Sequence, residues 1–195
     1  MGKAVAHLAK WLGFRVAVSD DRTEFCTHET NPDADIFYPV PMADLPQHLI
    51  ITSQTFLVLT TSGMSTNVAG LPALLDTPAA YIGIIGSRRR WTSTIKELIG
   101  KGCPKEKLAN IHSPIGLEIN AETPEEIAVS IMAEIIMLRS DGTGKSMKIT
   151  KLDLDKLQTL RLIYNSTIAI KNTLHQRSRI YIRYRSSCIS ALHRL

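Results

Sequence analysis

Residues 80–90 have the sequence AYIGIIGSRRR, and this stretch decides the fold. The first six residues, 80–85, are almost continuously apolar, as expected of a strand that is buried on both faces of a sheet. Gly86 and Ser87 then predict a turn into a helix that runs to about Ile99 and ends at the Gly-Lys-Gly sequence of 100–102. A buried strand that leads directly into a helix is the repeating unit of a parallel sheet.

The same alternation extends toward the N-terminus. The expected elements, in reverse chain order, are a helix over 67–75, a buried strand over 55–61, a strand over 14–18 and a helix over 3–12. The intervening residues contain Asn31-Pro32 and further prolines at 39, 41 and 46, so we predict mostly loop there, with a helical turn near 42–48.

The last predicted helix has the clearest boundary. Thr123, Pro124 and Glu126 form a capping-box sequence, in which Thr123 caps the helix and Glu126 reaches back to it. Apolar residues then recur at intervals of three and four from Ile127 to Leu138. Together, these elements predict a doubly wound α/β domain with a parallel sheet.

Composition supports one globular domain with a basic extension. The chain has 195 residues, 44% of them hydrophobic and 21% charged, and its longest apolar runs are too short to span a membrane. Residues 1–142 contain 12 Lys and Arg against 16 Asp and Glu, whereas residues 143–195 contain 11 against 2. We therefore divide the chain into an α/β domain over 1–142 and a basic extension over 143–195. The three cysteines have no metal-ligand spacing and indicate reduced thiols in the cytoplasm.

Several stretches together resemble one family. They are AVAHLAKWLGFRVAVSDDR, NPDAD, PAAYIGIIGSRRR and IHSPIGLEINAETPEEIAVSIMAEI, which occur in this order between Gly2 and about Arg139. They are similar to the Rossmann domain of the XdhC/CoxI family of accessory proteins for molybdenum hydroxylases. The resemblance implies a maturation factor that binds the molybdenum cofactor and helps to insert it into an apo-enzyme of the xanthine dehydrogenase type. It implies an accessory protein that is not itself a hydroxylase, and leaves open whether the chain has an enzymatic activity of its own.

The chain also departs from the family pattern. The resemblance implies a first strand and a Gly-rich loop before residue 1, where Met1-Gly2 stands in place of the family's Val-Gly. We expect the reading frame to extend upstream, since the first strand is central in a doubly wound sheet and its loss leaves two edges unpaired. At 60–65 the chain has Thr-Thr-Ser-Gly-Met-Ser, where the family usually has histidines and an aspartate.

The candidate cofactor-binding residues lie in loops that follow predicted strands, where doubly wound sheets bind their ligands. They are Gly2, Asp20, Asp21, Arg22, Gly86, Ser87, Arg88, Pro114 and Gly116. Gly86, Ser87 and Arg88 suit a phosphate at a helix N-terminus, or else form an ordinary turn. Asp20, 18 residues after Gly2, has the spacing of an acid that binds ribose hydroxyls, although Asp20 and Asp21 would equally suit a turn. We predict neither catalytic nor metal-binding residues.

Other interpretations stay open at this point. The fold suits an NAD(P)-dependent oxidoreductase equally well, and a non-functional gene fragment is a further alternative. His112 is a candidate acid or base, but the sequence identifies no partner for it. In the extension, residues 152–170 suit a helix that packs on the domain. Residues 177–185, RSRIYIRYR, suit RNA, a membrane surface or an edge strand. We expect no nucleic-acid partner, and leave open a homodimer.

Overall fold

The computed structural model describes residues 1–61, 63–149, 153, 155, 156 and 158–164. The chain divides into two compact units, and the first comprises Met1–Lys145. In the second unit, the described residues between 153 and 164 are helical, within the range predicted for a helix. The Arg- and Tyr-rich stretch at 177–185 lies outside the described residues.

The first unit alternates helices and short strands. The helices are α1 (Gly2–Trp11), α2 (Leu45–His48), α3 (Met64–Leu75), α4 (Arg88–Gly100), α5 (Lys105–Leu108) and α6 (Pro124–Arg139). The strands are β1 (Ala17–Ser19), β2 (Ile36–Tyr38), β3 (Phe56–Leu59) and β4 (Tyr81–Ile84). The predicted α/β class is confirmed, and α6 begins at the predicted capping box, with both of its reciprocal hydrogen bonds present.

Several elements differ from the prediction. The segment expected to be loop contains β2, and α3 begins three residues earlier than predicted, at Met64. β1 begins at Ala17 and not at residue 14, and α5 was not predicted. β2 has only three residues and is defined by pairing with β1, so its own sequence gives little local signal. Pro72 lies inside α3, within a helix whose buried side chains Val68, Leu71 and Leu74 keep it packed against the sheet.

The strands form two parallel pairs. β1 pairs with β2, with Ala17 opposite Ile36, and β3 pairs with β4, with Phe56 opposite Tyr81. His112 adds an isolated parallel bridge to Gly83 on the outer side of β4. The predicted unpaired edges are confirmed within the described residues, since β1 and β3 each pair with one strand and not with each other.

Helix α1 covers both strand pairs on one face. Val5 is buried in a cluster with Tyr81, Ile115 and Ile131, against which Phe56 and Val58 of β3 also pack. The next residue, Ala6, is buried in a second cluster with Val16 and Ala34, beside β1 and β2. Consecutive positions of α1 therefore contact different sheets.

The opposite face is covered by α3 and α4. Leu57 and Leu59 of β3 are buried there with Leu71, Leu74 and Leu98, which are almost completely inaccessible to solvent. Tyr38 of β2 also packs against this cluster. Both faces of the strands are thus covered by helices, as in a doubly wound domain.

Candidate functional site

Helix α1 shows which ends of the two sheets lie on the same side. Gly2, at the start of α1, lies against Thr60, directly after β3: a Cβ built on Gly2 would be 3.2 Å from the Thr60 hydroxyl. Lys10, near the end of α1, forms an ion pair with Asp35, directly before β2. Because α1 runs antiparallel to the strands of both pairs, their carboxyl ends face the same side of the domain. This carboxyl edge is where a doubly wound fold binds its ligands.

At the carboxyl end of β3, α1 presents free backbone donors. Met1 makes no side-chain cap, and the first N–H groups bonded within the helix are those of Ala4 and Val5, which donate to the Met1 carbonyl. The N–H groups of Gly2 and Lys3 therefore have no acceptor among the described residues. Donors of this kind, at the positive end of a helix dipole, attract an anion.

At the carboxyl end of β4, Gly86 and Ser87 lead into α4 as predicted. The Ser87 hydroxyl caps the helix, accepting from the Arg90 N–H at 3.3 Å, and this bond orients the first turn. The Arg90 side chain folds back over Gly86, with its guanidinium carbon 3.7 Å from where a Cβ of Gly86 would lie. The sequence did not point to Arg90 as a site residue. In the run of arginines at 88–90, sequence alone does not reveal which side chain turns toward β4.

The arginines of α4 are available to a ligand. Arg88, Arg89 and Arg90 form no ion pair with any residue that the structure describes. Arg88 is exposed and Arg90 is half-buried. β3 and β4 are neighbours, so the free N–H groups of α1 and these arginines lie at adjacent positions on the carboxyl edge.

At the carboxyl end of β1, Asp20 is already engaged. Its two carboxylate oxygens accept from the Arg22 Nε and Nη2, each at 3.0 Å, and one of them also accepts from the Arg22 backbone N–H. The side-chain hydrogen bond from Arg22 is the main reason why the pKa of Asp20 is lowered. The Arg22 guanidinium is in turn held over the Phe25 ring at 4.3 Å. Asp20 and Arg22 thus form a turn, and binding ribose would require this pair to open; Asp21 is exposed beside it.

Gly116 packs the loop after His112 onto α6. Its N–H donates to the Glu134 carboxylate, so this N–H is not free for a ligand. Gly116 has a φ of +100°, and a Cβ there would lie 2.4 Å from the Ser130 hydroxyl. Both observations explain a glycine at this position by close packing. Pro114, in the same loop, is exposed.

The structure supplies the partner that the sequence did not identify for His112. The His112 Nδ1 lies 2.9 Å from the Glu134 Oε1, and the ring packs on Tyr81 with centroids 4.6 Å apart. Tyr81 donates its hydroxyl to the second Glu134 oxygen at 2.9 Å. Burial, followed by the charge of Glu134, raises the pKa of Tyr81, so the phenol keeps its proton. His112 itself is about one-third exposed.

The structure therefore separates the candidate residues into three groups. Gly2, Gly86, Ser87 and Arg88 lie at the carboxyl ends of the neighbouring strands β3 and β4 of one sheet, while Asp20, Asp21 and Arg22 follow β1 of the other sheet. Pro114 and Gly116 belong to the loop held by α6. Nearby, Thr61, which follows β3, donates its hydroxyl to the buried Asn67 side chain at 2.6 Å, and this bond joins the segment after β3 to the first turn of α3.

Two absences hold for the described part of the chain. No cluster of three or more His, Cys, Asp or Glu side chains there has the arrangement of a metal site. In the same residues, no helix combines the length and apolar character needed to cross a membrane.

Comparison with known proteins identifies relatives of this domain. An uncharacterized Escherichia coli protein, YqeB, is 31% identical over 148 residues, which are 75% of this chain and 27% of YqeB. A probable xanthine dehydrogenase subunit from Bacillus subtilis is 36% identical over 139 residues, or 69% of this chain and 39% of that protein. The Escherichia coli molybdenum cofactor insertion chaperone PaoD is 26% identical over 110 residues, covering 56% of this chain and 34% of PaoD.

A solved structure agrees with the fold. A crystal structure described as a xanthine dehydrogenase from Bacillus halodurans matches with a TM-score of 0.62 and 32% identity, over 71% of this chain and 41% of that one. The chain thus spans well under half the length of each of these relatives. The family model for the XdhC Rossmann domain matches residues 1–135, and the chain belongs to this family.

Proposed function

We propose that this chain binds the molybdenum cofactor and helps to insert it into a molybdenum hydroxylase of the xanthine dehydrogenase type. Membership of the XdhC family and the similarity to a molybdenum cofactor insertion chaperone support an accessory role. The chain spans about a third of that chaperone's length, so the cofactor and the target enzyme both belong to the proposal.

The single observation on which the proposal depends is the carboxyl edge of β3 and β4. The molybdenum cofactor is a pterin that ends in a phosphate, so its site needs donors and positive charge for an anion. The free N–H groups of α1 and the arginines of α4, which have no ion-pair partner among the described residues, provide both at the carboxyl ends of adjacent strands. These residues fit the cofactor's phosphate, with Gly2 and Arg90 as the expected contacts.

This fit gives each of the residues a distinct role in binding. When bound, the cofactor supplies the redox centre of the finished hydroxylase. In this chain, Arg90 neutralises the phosphate charge, Ser87 keeps the first turn of α4 in place, and the N–H groups of Gly2 and Lys3 donate to the same anion. Such contacts hold and orient a cofactor without changing it, as an insertion factor requires.

NAD(P) is the competing ligand. A dinucleotide would use an acid after β1 for its ribose, and in this structure Asp20 is bound on both oxygens by Arg22. We therefore place the molybdenum cofactor first and retain NAD(P) as a comparison in the same titration.

The test is equilibrium binding of isolated molybdopterin cofactor to the purified chain, under oxygen-free conditions. We expect Arg90→Ala to weaken binding by about 10-fold or more, since a charge-assisted contact to phosphate is lost. Lys96→Ala is the matched control, because Lys96 is an exposed cation further along the same helix, and it should leave binding unchanged. Equal effects of the two substitutions would contradict the assigned site, and tight NAD(P) binding without cofactor binding would reverse the proposal.

A further inference from the structure

His112 is an accessible titratable side chain that the proposed phosphate site does not use. Its Nδ1 lies 2.9 Å from Glu134, but its Nε2 has no hydrogen-bond partner among the described residues. The His112 side chain is 34% exposed, whereas that of Glu134 is 11% exposed. A ligand can therefore reach the imidazole ring, and the carboxylate lies behind it.

The contacts of Glu134 determine which ring nitrogen carries the proton. Tyr81 and the Gly116 N–H both donate to one Glu134 oxygen, and the His112 Nδ1 faces the other. An ionised carboxylate only accepts hydrogen bonds, so the His112 Nδ1 is the donor. In the neutral ring, Nε2 is then an acceptor with a free lone pair. Tyr81 helps to hold this orientation, since the two rings pack with their centroids 4.6 Å apart.

His112 lies on the face of the sheet that α1 covers. Its ring packs on Tyr81, which belongs to the buried cluster that contains Val5 of α1 and against which Met1 also packs. The free N–H groups at the start of α1 are therefore on the same face of the sheet as the His112 ring.

His112 is also close to the carboxyl edge of the sheet. Its backbone pairs with Gly83 through a parallel bridge, and the extended segment ends there. Gly86, which precedes the first turn of α4, follows Gly83 by three residues, or about 10 Å of extended chain. His112 is thus within reach of an elongated ligand whose anionic end is bound beside Gly86.

We propose that the His112 Nε2 accepts a hydrogen bond from an N–H group of the pterin ring of the molybdenum cofactor, while Glu134 holds the imidazole in place. The pterin carries its N–H donors at the end of the cofactor opposite the phosphate, and the phosphate is assigned to Arg90. This inference rests on the proposed function and adds recognition of the pterin to it. A phosphate-bearing ligand without such a donor would gain only the anion contacts.

Two substitutions distinguish a ligand contact from a purely structural role. In His112→Asn, the shorter amide takes the position of Nδ1 and can still donate to Glu134, but nothing replaces Nε2. In His112→Gln, the longer amide takes the position of Nε2 and can accept from a ligand, but the bond to Glu134 is lost. A histidine that only stabilises the fold would make Gln the more harmful replacement in every measurement.

The test is equilibrium binding of the isolated molybdenum cofactor to the purified full chain and to both variants, under oxygen-free conditions, together with the urea midpoint of each protein. We expect His112→Asn to keep the midpoint of the original chain and to bind the cofactor about 10-fold more weakly, since a hydrogen bond to the ligand is lost. His112→Gln should bind more tightly than His112→Asn, despite a lower midpoint.

The other outcomes contradict the inference in distinguishable ways. If all three proteins bind the cofactor equally, or if binding falls only where the midpoint falls, the role assigned to His112 is wrong and the phosphate site is unaffected. If the original chain does not bind the cofactor, the proposed function is wrong, and the role of His112 fails with it.

Discussion

At the scale of single residues, Glu134 joins α6 to two other parts of the domain. It is almost fully buried and accepts from Tyr81, Gly116 and His112. We predict that Glu134→Gln lowers the free energy of unfolding by about 1–3 kcal/mol, since an amide offers one acceptor oxygen and places its NH2 group against a donor. Urea denaturation at pH 7 measures this change.

The control for this substitution is Glu118→Gln. Glu118 is exposed, forms no ion pair with the described residues and loses the same charge. Its denaturation midpoint should match that of the original chain. If Glu134→Gln were equally neutral, the three hydrogen bonds to Glu134 would not contribute to stability.

Gly83 provides a second prediction at this scale. A Cβ at this position would lie 2.4 Å from Ile115 and 2.6 Å from the Tyr81 ring, which extends over the glycine. We predict that Gly83→Ala costs about 1–3 kcal/mol of unfolding free energy through overpacking. Gly100→Ala, at the end of α4 with no atom within 4 Å of the new methyl group, should be neutral or stabilising in the same measurement. Similar losses in both variants would contradict this packing account.

Residue types were easier to predict than their contacts. His112 was recognisable as a candidate acid or base, but its partner Glu134 lies 22 residues away on another element. Tyr81 and Glu134 are 53 residues apart, and no local spacing relates them. Asp20 was identified as a candidate ribose ligand, and only the geometry shows that Arg22 binds both of its oxygens.

At the scale of elements, the capping box of α6 has a pH dependence. The N–H groups of Glu122 and Thr123 donate to the Glu126 carboxylate and lower its pKa below the unfolded value. Folding therefore favours the ionised form of Glu126. Its contribution to the free energy of unfolding is present above the unfolded pKa and is lost as the pH falls through the folded pKa.

The variant Glu126→Gln measures that contribution. Glutamine also accepts a hydrogen bond in a capping box, so only the charge is removed. The original chain should be more stable than the variant at pH 7, and the difference should shrink as the pH falls below about 4.5. Because other carboxylates are common to both proteins, they cancel in the difference. A difference that is constant between pH 7 and pH 3 would exclude this cause.

Helices and strands whose boundaries are marked by nearby residues were predicted well. Elements that depend on pairing with distant residues were not. α6 has its cap, its first proline and its apolar stripe within 16 consecutive residues, so the sequence alone located its start. β2 consists of three residues whose pairing with β1 depends on the chain returning after residues 20–35. The turn from β4 into α4 was predicted, but the direction of the Arg90 side chain was not, since it depends on packing against Gly86.

At the scale of the whole molecule, most of the excess positive charge lies outside the first compact unit. Residues 1–145 contain 13 Lys and Arg against 16 Asp and Glu, whereas residues 146–195 contain 10 against 2. We predict that a chain ending at Lys145 keeps the urea midpoint of the full chain, since the first unit is compact by itself. It should lose retention on a heparin column at low salt, because the basic residues lie beyond the cut. A lower midpoint would mean that the later residues stabilise the first unit.

The lack of pairing between β1 and β3 in the described residues also affects the order in which parts of the domain unfold. Because no hydrogen-bonded ladder joins the two strand pairs among the described residues, we expect the two pairs to unfold as separate cooperative parts, each packed against α1. The β3–β4 unit contains the largest buried cluster, so it should unfold last. Native-state exchange in low denaturant would then show β1 and β2 opening as one foldon, at lower free energy than β3 and β4, while α1 exchanges with whichever unit releases it first.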